Sequence, residues 1–154
     1  MWRQLSDGAF EWVASDHSPA PASMKTSNDF FDIWGGVAGI QSTLAVLLSR
    51  DPALPLERIA ELIAGGAARR FGLVGKGSVA LHAEANLVFV DLARDYVLTR
   101  DMLLDRHKLS PYVGRTFRGT VVRTMLRGRT IFQDGRVVGA TTGRLVTPTR
   151  HPRG

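Results

Sequence analysis

The sequence predicts a protein of the α/β class, in which a strand, a long loop and two helices precede a run of strands. Three observations indicate this order: a short apolar stretch bounded by turn residues, two segments with apolar residues at helical spacing, and a second half rich in Val, Thr and Ile. The length of 154 residues, with 44% hydrophobic and 22% charged side chains, is typical of one soluble globular domain or of one domain plus part of another.

The chain begins with a helix end, a strand and a loop. Residues 1–9 are expected to end a helix that the Asp7-Gly8 pair closes. Residues 10–15 are aromatic and β-branched, and turn residues bound them, so we predict a buried strand there. Residues 16–29 are rich in Ser, Pro, Ala and Asn and are expected to form a long loop. A loop of this length after a buried strand is often functional.

Two amphipathic helices are predicted next. Gly35 and Gly36 stand where the first would begin, and its apolar face comprises Val37, Ile40, Leu44, Leu47 and Leu48. The apolar face of the second comprises Leu56, Ile59, Ala60 and Ile63. Gly65 and Gly66 are expected to end this second helix as a C-terminal cap, and a short helical turn is expected to follow.

The second half of the chain has the composition of a sheet. Residues 87–90 are apolar throughout, which predicts a strand buried on both faces. The Asp134-Gly135 pair separates two β-rich runs and predicts a hairpin, because glycine tolerates the positive φ of a two-residue turn. Residues 146–154 are expected to form a disordered tail.

Composition and charge exclude several classes of protein. The net charge of +6 comes mainly from Arg spread along the chain without interleaved aromatics, so we expect no nucleic-acid partner. There is no cysteine, which excludes disulfides and thiolate metal sites. No apolar run reaches the roughly 20 residues of a membrane helix, and no signal peptide is recognisable. A cytoplasmic protein without a membrane partner is therefore expected.

Asp16 and His17 stand at the point where the predicted strand becomes a loop. In barrels of alternating strands and helices, catalytic groups lie at the C-terminal ends of strands. A carboxylate there can bind a metal and accept a proton from metal-bound water. The alternative is that Asp16 caps a turn and His17 is incidental. Gly35 and Gly36 have two interpretations as well: steric punctuation before a helix, or close approach of the backbone to a planar amide ligand.

Four stretches together resemble a known family: "ASDHSPAP", "NDFFDIWGGVAGIQ", "RRFGLVGKGSVALHAEANLVFVDL" and "HKLSPYVGRTFRGTVVRTMLRG". They look like the C-terminal part of an allantoinase, a cyclic amidohydrolase of the amidohydrolase superfamily related to dihydroorotase and hydantoinase. The resemblance covers residues 2–139. The "SDHSP" motif alone indicates the superfamily, whereas the "WGGVAGIQ" and "HKLSPYVGRTFRG" motifs favour allantoinase over its relatives.

The resemblance implies a C-terminal fragment of a metal-dependent TIM (β/α)8 barrel, followed by strands of a small β-sandwich. Residues 1–73 would be the last part of the barrel and residues 74–145 the sandwich portion. The implied activity is hydrolysis of allantoin to allantoate by water that two divalent metals activate, with zinc as the expected ion. Asp16 would bind a metal and act as the general base, while His17, Gly35 and Gly36 would line the substrate pocket.

The sequence also departs from the family pattern. It contains no His-x-His pair, no lysine placed after an apolar strand and no further histidines placed as metal ligands. The chain by itself is therefore expected to be inactive and to need the missing N-terminal part, and the full-length enzyme is expected to be a homo-oligomer. Two alternatives stay open: a non-catalytic remnant that acts as a binding or structural module, and a relative of dihydroorotase or hydantoinase.

Overall fold

The computed structural model describes residues 1–148, which contain both helices and strands. The helices are α1 (Trp2–Ser6), α2 (Thr43–Leu48), α3 (Leu56–Ala60) and α4 (Gly66–Arg70), with 3₁₀ turns at Ala22–Lys25, Phe30–Asp32 and Ile40–Ser42 and a π-helical turn at Glu61–Gly65. The strands are β1 (Leu87–Asp91), β2 (Tyr96–Val97), β3 (Thr116–Phe117), β4 (Thr120–Leu126), β5 (Arg129–Gln133) and β6 (Arg136–Val137). None of the helices in this part of the chain is long and apolar enough to span a membrane.

The chain divides into two compact units. One comprises residues 1–13, 52–91 and the chain from residue 121 onward, and the other comprises residues 14–51 and 92–120. The predicted segment 74–145 contributes to both units, and the predicted domain boundaries stay a prediction. Of the predicted tail, residues 146–148 belong to no helix or strand, and the remainder lies outside the described residues.

The first unit contains one uninterrupted helical stretch over residues 56–70. The prediction that Gly65 and Gly66 end the helix was wrong, because both residues have right-handed helical backbone, with φ of −59° and −60°. Glycine is needed here for a tertiary reason. A Cβ on Gly66 would overlap the backbone carbonyl of Glu11, so the helix can approach that segment only where it carries no side chain.

The buried face of this helix differs from the predicted one. Ile59 and Leu62 are fully buried, whereas Leu56 is 51% and Ile63 is 36% exposed. The π-helical turn at Glu61–Gly65 inserts an extra residue into the repeat, which rotates the following side chains relative to an ideal α-helix. The predicted face was right only at Ile59, because Leu56 and Ala60, which precede the π-helical turn, are exposed as well as Ile63.

A four-stranded sheet in the first unit has the order β1-β4-β5-β6. The predicted hairpin is confirmed: β5 and β6 pair antiparallel, and the turn residues Asp134 and Gly135 have φ of +47° and +82°. A second hairpin of the same kind joins β4 to β5 through Arg127 and Gly128, with φ of +47° and +78°. The sequence analysis did not identify it.

Strand β1 is more exposed than predicted. Val88 is 50% and Phe89 is 41% exposed, so this strand is not buried on both faces. It lies at the end of the strand order, and an edge strand has a paired neighbour on one side only.

The strand predicted over residues 10–15 is not formed. A single main-chain hydrogen bond joins this segment to the helical stretch, from the Val13 N–H to the Leu62 carbonyl at 2.8 Å. Composition alone cannot make a strand, because a ladder needs a second backbone alongside it. By contrast, the predicted helix end is confirmed, since α1 ends before Asp7 and Gly8 has φ of +85°.

The second unit has its own small core. The buried side chains Leu98, Leu103 and Phe117 pack with Ala45 of α2, and β2 pairs antiparallel with β3. Helix α2 begins later than the sequence predicted. Leu47 and Leu48 of the predicted face are buried, but Val37 and Ile40 are 41% and 65% exposed because they precede the helix.

Two glycines of the helical stretch give a matched stability test. Gly66→Ala places a Cβ against the rigid carbonyl of Glu11, so we expect it to lower the free energy of unfolding by about 1–3 kcal/mol. In Gly65→Ala the Cβ meets the carboxylate end of Glu61, 2.5 Å away, and Arg69 Nη1, 3.4 Å away, and both are ends of flexible side chains that can move. The ~1 kcal/mol gain in helix propensity should then leave its stability unchanged or higher. Urea unfolding of both variants measures the difference, and equal losses would contradict the close approach at Gly66.

A charged cluster in the first unit makes stability depend on pH. The Glu84 carboxylate accepts hydrogen bonds from Lys76 Nζ at 2.6 Å, Asn86 Nδ2 at 3.1 Å and Arg144 Nη2 at 2.6 Å. The hydrogen bond from Lys76, followed by that from Asn86, lowers the pKa of Glu84 from 4.5 to about 2. Because the folded-state pKa is depressed, the carboxylate stabilises the fold above its unfolded pKa, and this stabilisation is lost as the pH falls through the folded pKa.

We therefore expect Glu84→Gln to lower the urea midpoint at pH 6 and to have a shrinking effect as the pH falls from 4.5 to about 2. High salt should also shrink the effect at pH 6, because the partners are partly exposed. A difference between wild type and variant that stays constant with pH would contradict the assignment.

Candidate functional site

The loop between residues 16 and 39 closes on itself within the second unit. His17 and Val37 form an isolated parallel β-bridge, and the Ser18 N–H donates to the Val37 carbonyl at 2.9 Å. This closure brings the beginning of the loop, with Asp16 and His17, next to its end, with Gly36. The structure thus assembles the "SDHSP" and "WGGVAG" motifs, which are about 20 residues apart in sequence.

Asp16 has an unusual backbone. Its φ is +43°, in the left-handed region, which few residues other than glycine adopt and where Asp and Asn are enriched. The side chain is exposed and makes no hydrogen bond or ion pair to any of residues 1–148. The interpretation of Asp16 as a turn cap requires such a hydrogen bond and is not supported. Its role as metal ligand and general base stays a prediction.

His17 is held by the start of the 3₁₀ turn that precedes α2. Its Nδ1 accepts a hydrogen bond from the Ile40 N–H at 3.3 Å, so the proton of the neutral ring lies on Nε2. The ring borders a pocket of about 350 Å³, which is lined by His17, Ala38, Ile40, Gln41, Leu103, Leu104 and Asp105. The pocket has apolar walls and three polar side chains, a composition common in sites for small organic molecules.

Gln41 binds the turn that supplies two leucines to this pocket. Its side-chain Nε2 donates to the Met102 carbonyl at 2.8 Å, and its Oε1 accepts from the Leu104 N–H at 2.9 Å. Both ends of one amide therefore bind a turn more than 60 residues away in sequence, and this turn presents Leu103 and Leu104 to the pocket. The sequence analysis did not identify Gln41, because such a long-range pairing has no local signal.

Gly35 and Gly36 differ in their surroundings. A Cβ on Gly36 would overlap the backbone carbonyl and hydroxyl of Ser18 and would lie 2.5 Å from Trp34 Nε1, so protein packing accounts for this glycine. A Cβ on Gly35 would meet nothing within 4 Å. The N–H and C=O of Gly35 make no hydrogen bond within the described residues. The proposed contact of these glycines with substrate stays a prediction.

Lys25 binds the turn that contains both glycines. Its ammonium Nζ donates to the Trp34 and Gly36 carbonyls, at 2.6 Å in each case. The Met24 carbonyl also accepts the Trp34 N–H at 2.9 Å. Lys25 is a further residue that the sequence analysis missed. The signal that could have indicated it is a single cation within a loop of small, polar and proline residues.

The described residues do not fit a dinuclear metal centre on their own. Residues 1–148 contain no group of three or more His, Asp or Glu side chains that could hold a metal ion. Asp16 is a chemically suitable ligand, but a catalytic zinc takes about three protein ligands. Asp16 can therefore be no more than one member of a larger ligand set.

Solved structures with a similar fold belong to one class of enzyme. The chain superposes on an L-hydantoinase (dihydropyrimidinase) from Arthrobacter aurescens with a TM-score of 0.85 and 29% identity, covering 90% of this chain and 32% of that one. A D-hydantoinase gives a TM-score of 0.83 at 28% identity, with the same coverage. The described chain thus has the fold of one part of a hydantoinase-type amidohydrolase.

Sequence relatives narrow this class. The chain is 49% identical to an allantoinase of Rubrobacter xylanophilus over 97% of its own length and 34% of the relative, and 50% identical to an allantoinase of Solibacter usitatus over 96% and 33%. An allantoinase of Escherichia coli is 42% identical over 86% and 30%. No family model matches.

The chain is a homologue of the allantoinases, and it spans about a third of the length of the curated relatives it matches. The resemblance that the four motifs indicated is thereby confirmed.

The left-handed backbone at Asp16 can be tested separately from its chemistry. Asn tolerates this conformation as Asp does, so we expect Asp16→Asn to change the free energy of unfolding by less than about 0.5 kcal/mol. A β-branched residue does not tolerate it, so Asp16→Val should lower stability by about 1–2 kcal/mol. Urea unfolding measures the stability of the two variants, and equal stability of both would show that residue 16 is not held at positive φ.

Proposed function

We propose that this chain is part of an enzyme that opens the cyclic amide ring of allantoin by hydrolysis and releases allantoate. The observation that carries the proposal is the identity of 49–50% to allantoinases along almost the whole chain. Identity to the solved hydantoinases is lower, at 28–29%. The difference favours allantoin over a simple hydantoin or a dihydropyrimidine as the substrate.

Asp16 is the residue to which we assign the proton transfer. An exposed carboxylate without a partner in the described chain is free to accept a proton from the attacking water and to return it to the leaving nitrogen. The non-glycine residue at positive φ supports this assignment, because backbone strain without a local structural cause is concentrated at functional sites.

His17, Gly35 and Gly36 are proposed to line the substrate pocket. His17 presents Nε2–H as a donor because Nδ1 is already occupied by the Ile40 N–H. Gly35 offers an N–H and a C=O with no partner in the described chain, and these groups complement the C=O and N–H of a cyclic amide.

A divalent metal, which we expect to be zinc in a dinuclear centre, would supply a water of lowered pKa. Asp16 is the one ligand that we assign from this chain, and the remaining ligands would come from polypeptide outside these residues. The chain alone is accordingly proposed to be inactive. We further propose that residues 1–73 belong to a TIM barrel and 74–145 to a β-sandwich, and that the complete enzyme is cytoplasmic and homo-oligomeric.

A second candidate function is a non-catalytic binding or structural module. The observation that favours it is the absence of a metal-ligand group among residues 1–148. In that case Asp16 would have no proton to transfer, and the pocket beside His17 would bind a small molecule without converting it.

A chimeric enzyme distinguishes the two functions. In the Rubrobacter xylanophilus allantoinase, the matching third is replaced by this chain, and allantoate formation is measured with added Zn²⁺. We expect activity from the chimera and none from the 154-residue chain alone. Asp16→Asn in the chimera should reduce kcat by about 10²–10⁴-fold, the usual contribution of a general base.

The matched control is Asp51→Asn, which removes an exposed carboxylate from the same unit and should leave kcat unchanged. A folded, zinc-loaded chimera without activity would contradict the allantoinase proposal and favour the binding module. Full activity of Asp16→Asn would contradict the role of Asp16 alone, and activity of the chain by itself would contradict the requirement for further ligands.

A further inference from the structure

We infer that Lys25 is a positioning residue for the substrate pocket, which it shapes by fixing the turn at residues 34–36. The inference rests on the proposed function, because that proposal assigns Gly35 and Gly36 of this turn to the substrate pocket, whereas the cavity beside His17 is lined by other residues. No substrate contact is assigned to Lys25 itself. Lys25 would act on the pocket through the backbone of the turn, in which Gly35 is the residue whose N–H and C=O have no partner in the described chain.

The contacts of Lys25 are suited to this role. An ammonium group has three donors and no acceptor, and two of the donors here bind carbonyl oxygens at 2.6 Å, those of Trp34 and Gly36. Hydrogen bonds from a charged donor are shorter and stronger than neutral ones. One side chain therefore holds the turn at both ends, with Gly35 between the two bound carbonyls.

Packing and further main-chain bonds restrict the same turn from other sides. Gly36 lies against the Ser18 carbonyl so closely that no Cβ fits, and the Trp34 N–H donates to the Met24 carbonyl at 2.9 Å. Lys25 is half-buried, and of its two hydrogen bonds the one to the Gly36 carbonyl is partly shielded from water while the one to the Trp34 carbonyl is exposed.

The carbonyl of Gly36 is the group that depends most on Lys25. Its oxygen has no other donor among the described residues. Without the ammonium, the Trp34 and Gly36 carbonyls would turn toward water. The peptide groups of Gly35 would then no longer be held in one orientation, and a ligand would have to order them on binding.

Hydrogen–deuterium exchange on the 154-residue chain tests directly whether Lys25 holds the turn at residues 34–36. Lys25→Met keeps the length of the side chain and removes the charge. We expect it to raise the exchange rate of the Trp34 amide, which donates to the Met24 carbonyl, at least about tenfold, because the turn opens locally. Exchange in the core strands β2 and β3 should stay unchanged. Lys25→Arg should restore part of the protection, because guanidinium can also donate to two carbonyls.

The matched control is Lys76→Met, which removes a lysine that binds Glu84 in the other unit. It should leave exchange in residues 33–38 as in wild type. Unchanged exchange in Lys25→Met would overturn the inference. Equal acceleration throughout the second unit would also overturn it, since that result indicates general destabilisation.

Steady-state kinetics of the chimera test whether the hydrogen bonds of Lys25 to the turn affect substrate binding. We expect Lys25→Met to raise the KM for allantoin about tenfold with kcat changed less than about threefold. In the variant the substrate must order the turn when it binds, which weakens binding, whereas the proton transfer is not affected. Lys25→Arg should recover part of the affinity. A fall in kcat alone would refute a positioning role. An inactive parent chimera refutes the proposed function instead, and the exchange experiment on the chain then still decides whether Lys25 holds the turn.

Discussion

The closure of the loop between residues 16 and 39 is the constraint on which the candidate site depends. Three kinds of bond make this closure: a backbone bond from Ser18 to Val37, a side-chain bond from the Ile40 N–H to His17, and the two bonds of Lys25. With this closure, an otherwise irregular segment holds a histidine and a glycine turn side by side, which a freely moving loop of the same composition cannot do.

The sequence analysis was accurate where neighbouring residues decide the structure and inaccurate where residues distant in sequence decide it. The Asp134-Gly135 hairpin and the helix end at Asp7 were predicted correctly, because turn chemistry is decided by neighbouring residues. Gly66 was misinterpreted as a helix end, because the contact that requires a glycine there is with Glu11, more than 50 residues away. Propensity read along the chain cannot detect such an approach.

The candidate site shows the same division. Asp16 and His17 could be identified from their motif and from their place at the start of a loop, and the structure brings His17 to a pocket. Lys25 and Gln41 were not identified, although they fix the backbone on two sides of that region. Their partners are main-chain groups, which every residue has, so the partners leave no trace in the sequence. Residues that hold the backbone through main-chain partners are therefore harder to predict than residues that belong to a recognisable motif.

The geometry at Asp16 bears on whether this chain is a catalytic part or a remnant. A left-handed conformation raises the energy of any residue other than glycine, and local hydrogen bonds of the side chain usually offset that cost. Asp16 has no such bond within residues 1–148, so its carboxylate does not offset the cost of this conformation through a local hydrogen bond. A glycine would adopt the same φ with less strain. A partner outside residues 1–148 would account for the carboxylate, as our proposal of one ligand and base of a shared site requires, whereas a purely structural module offers no comparable reason for it.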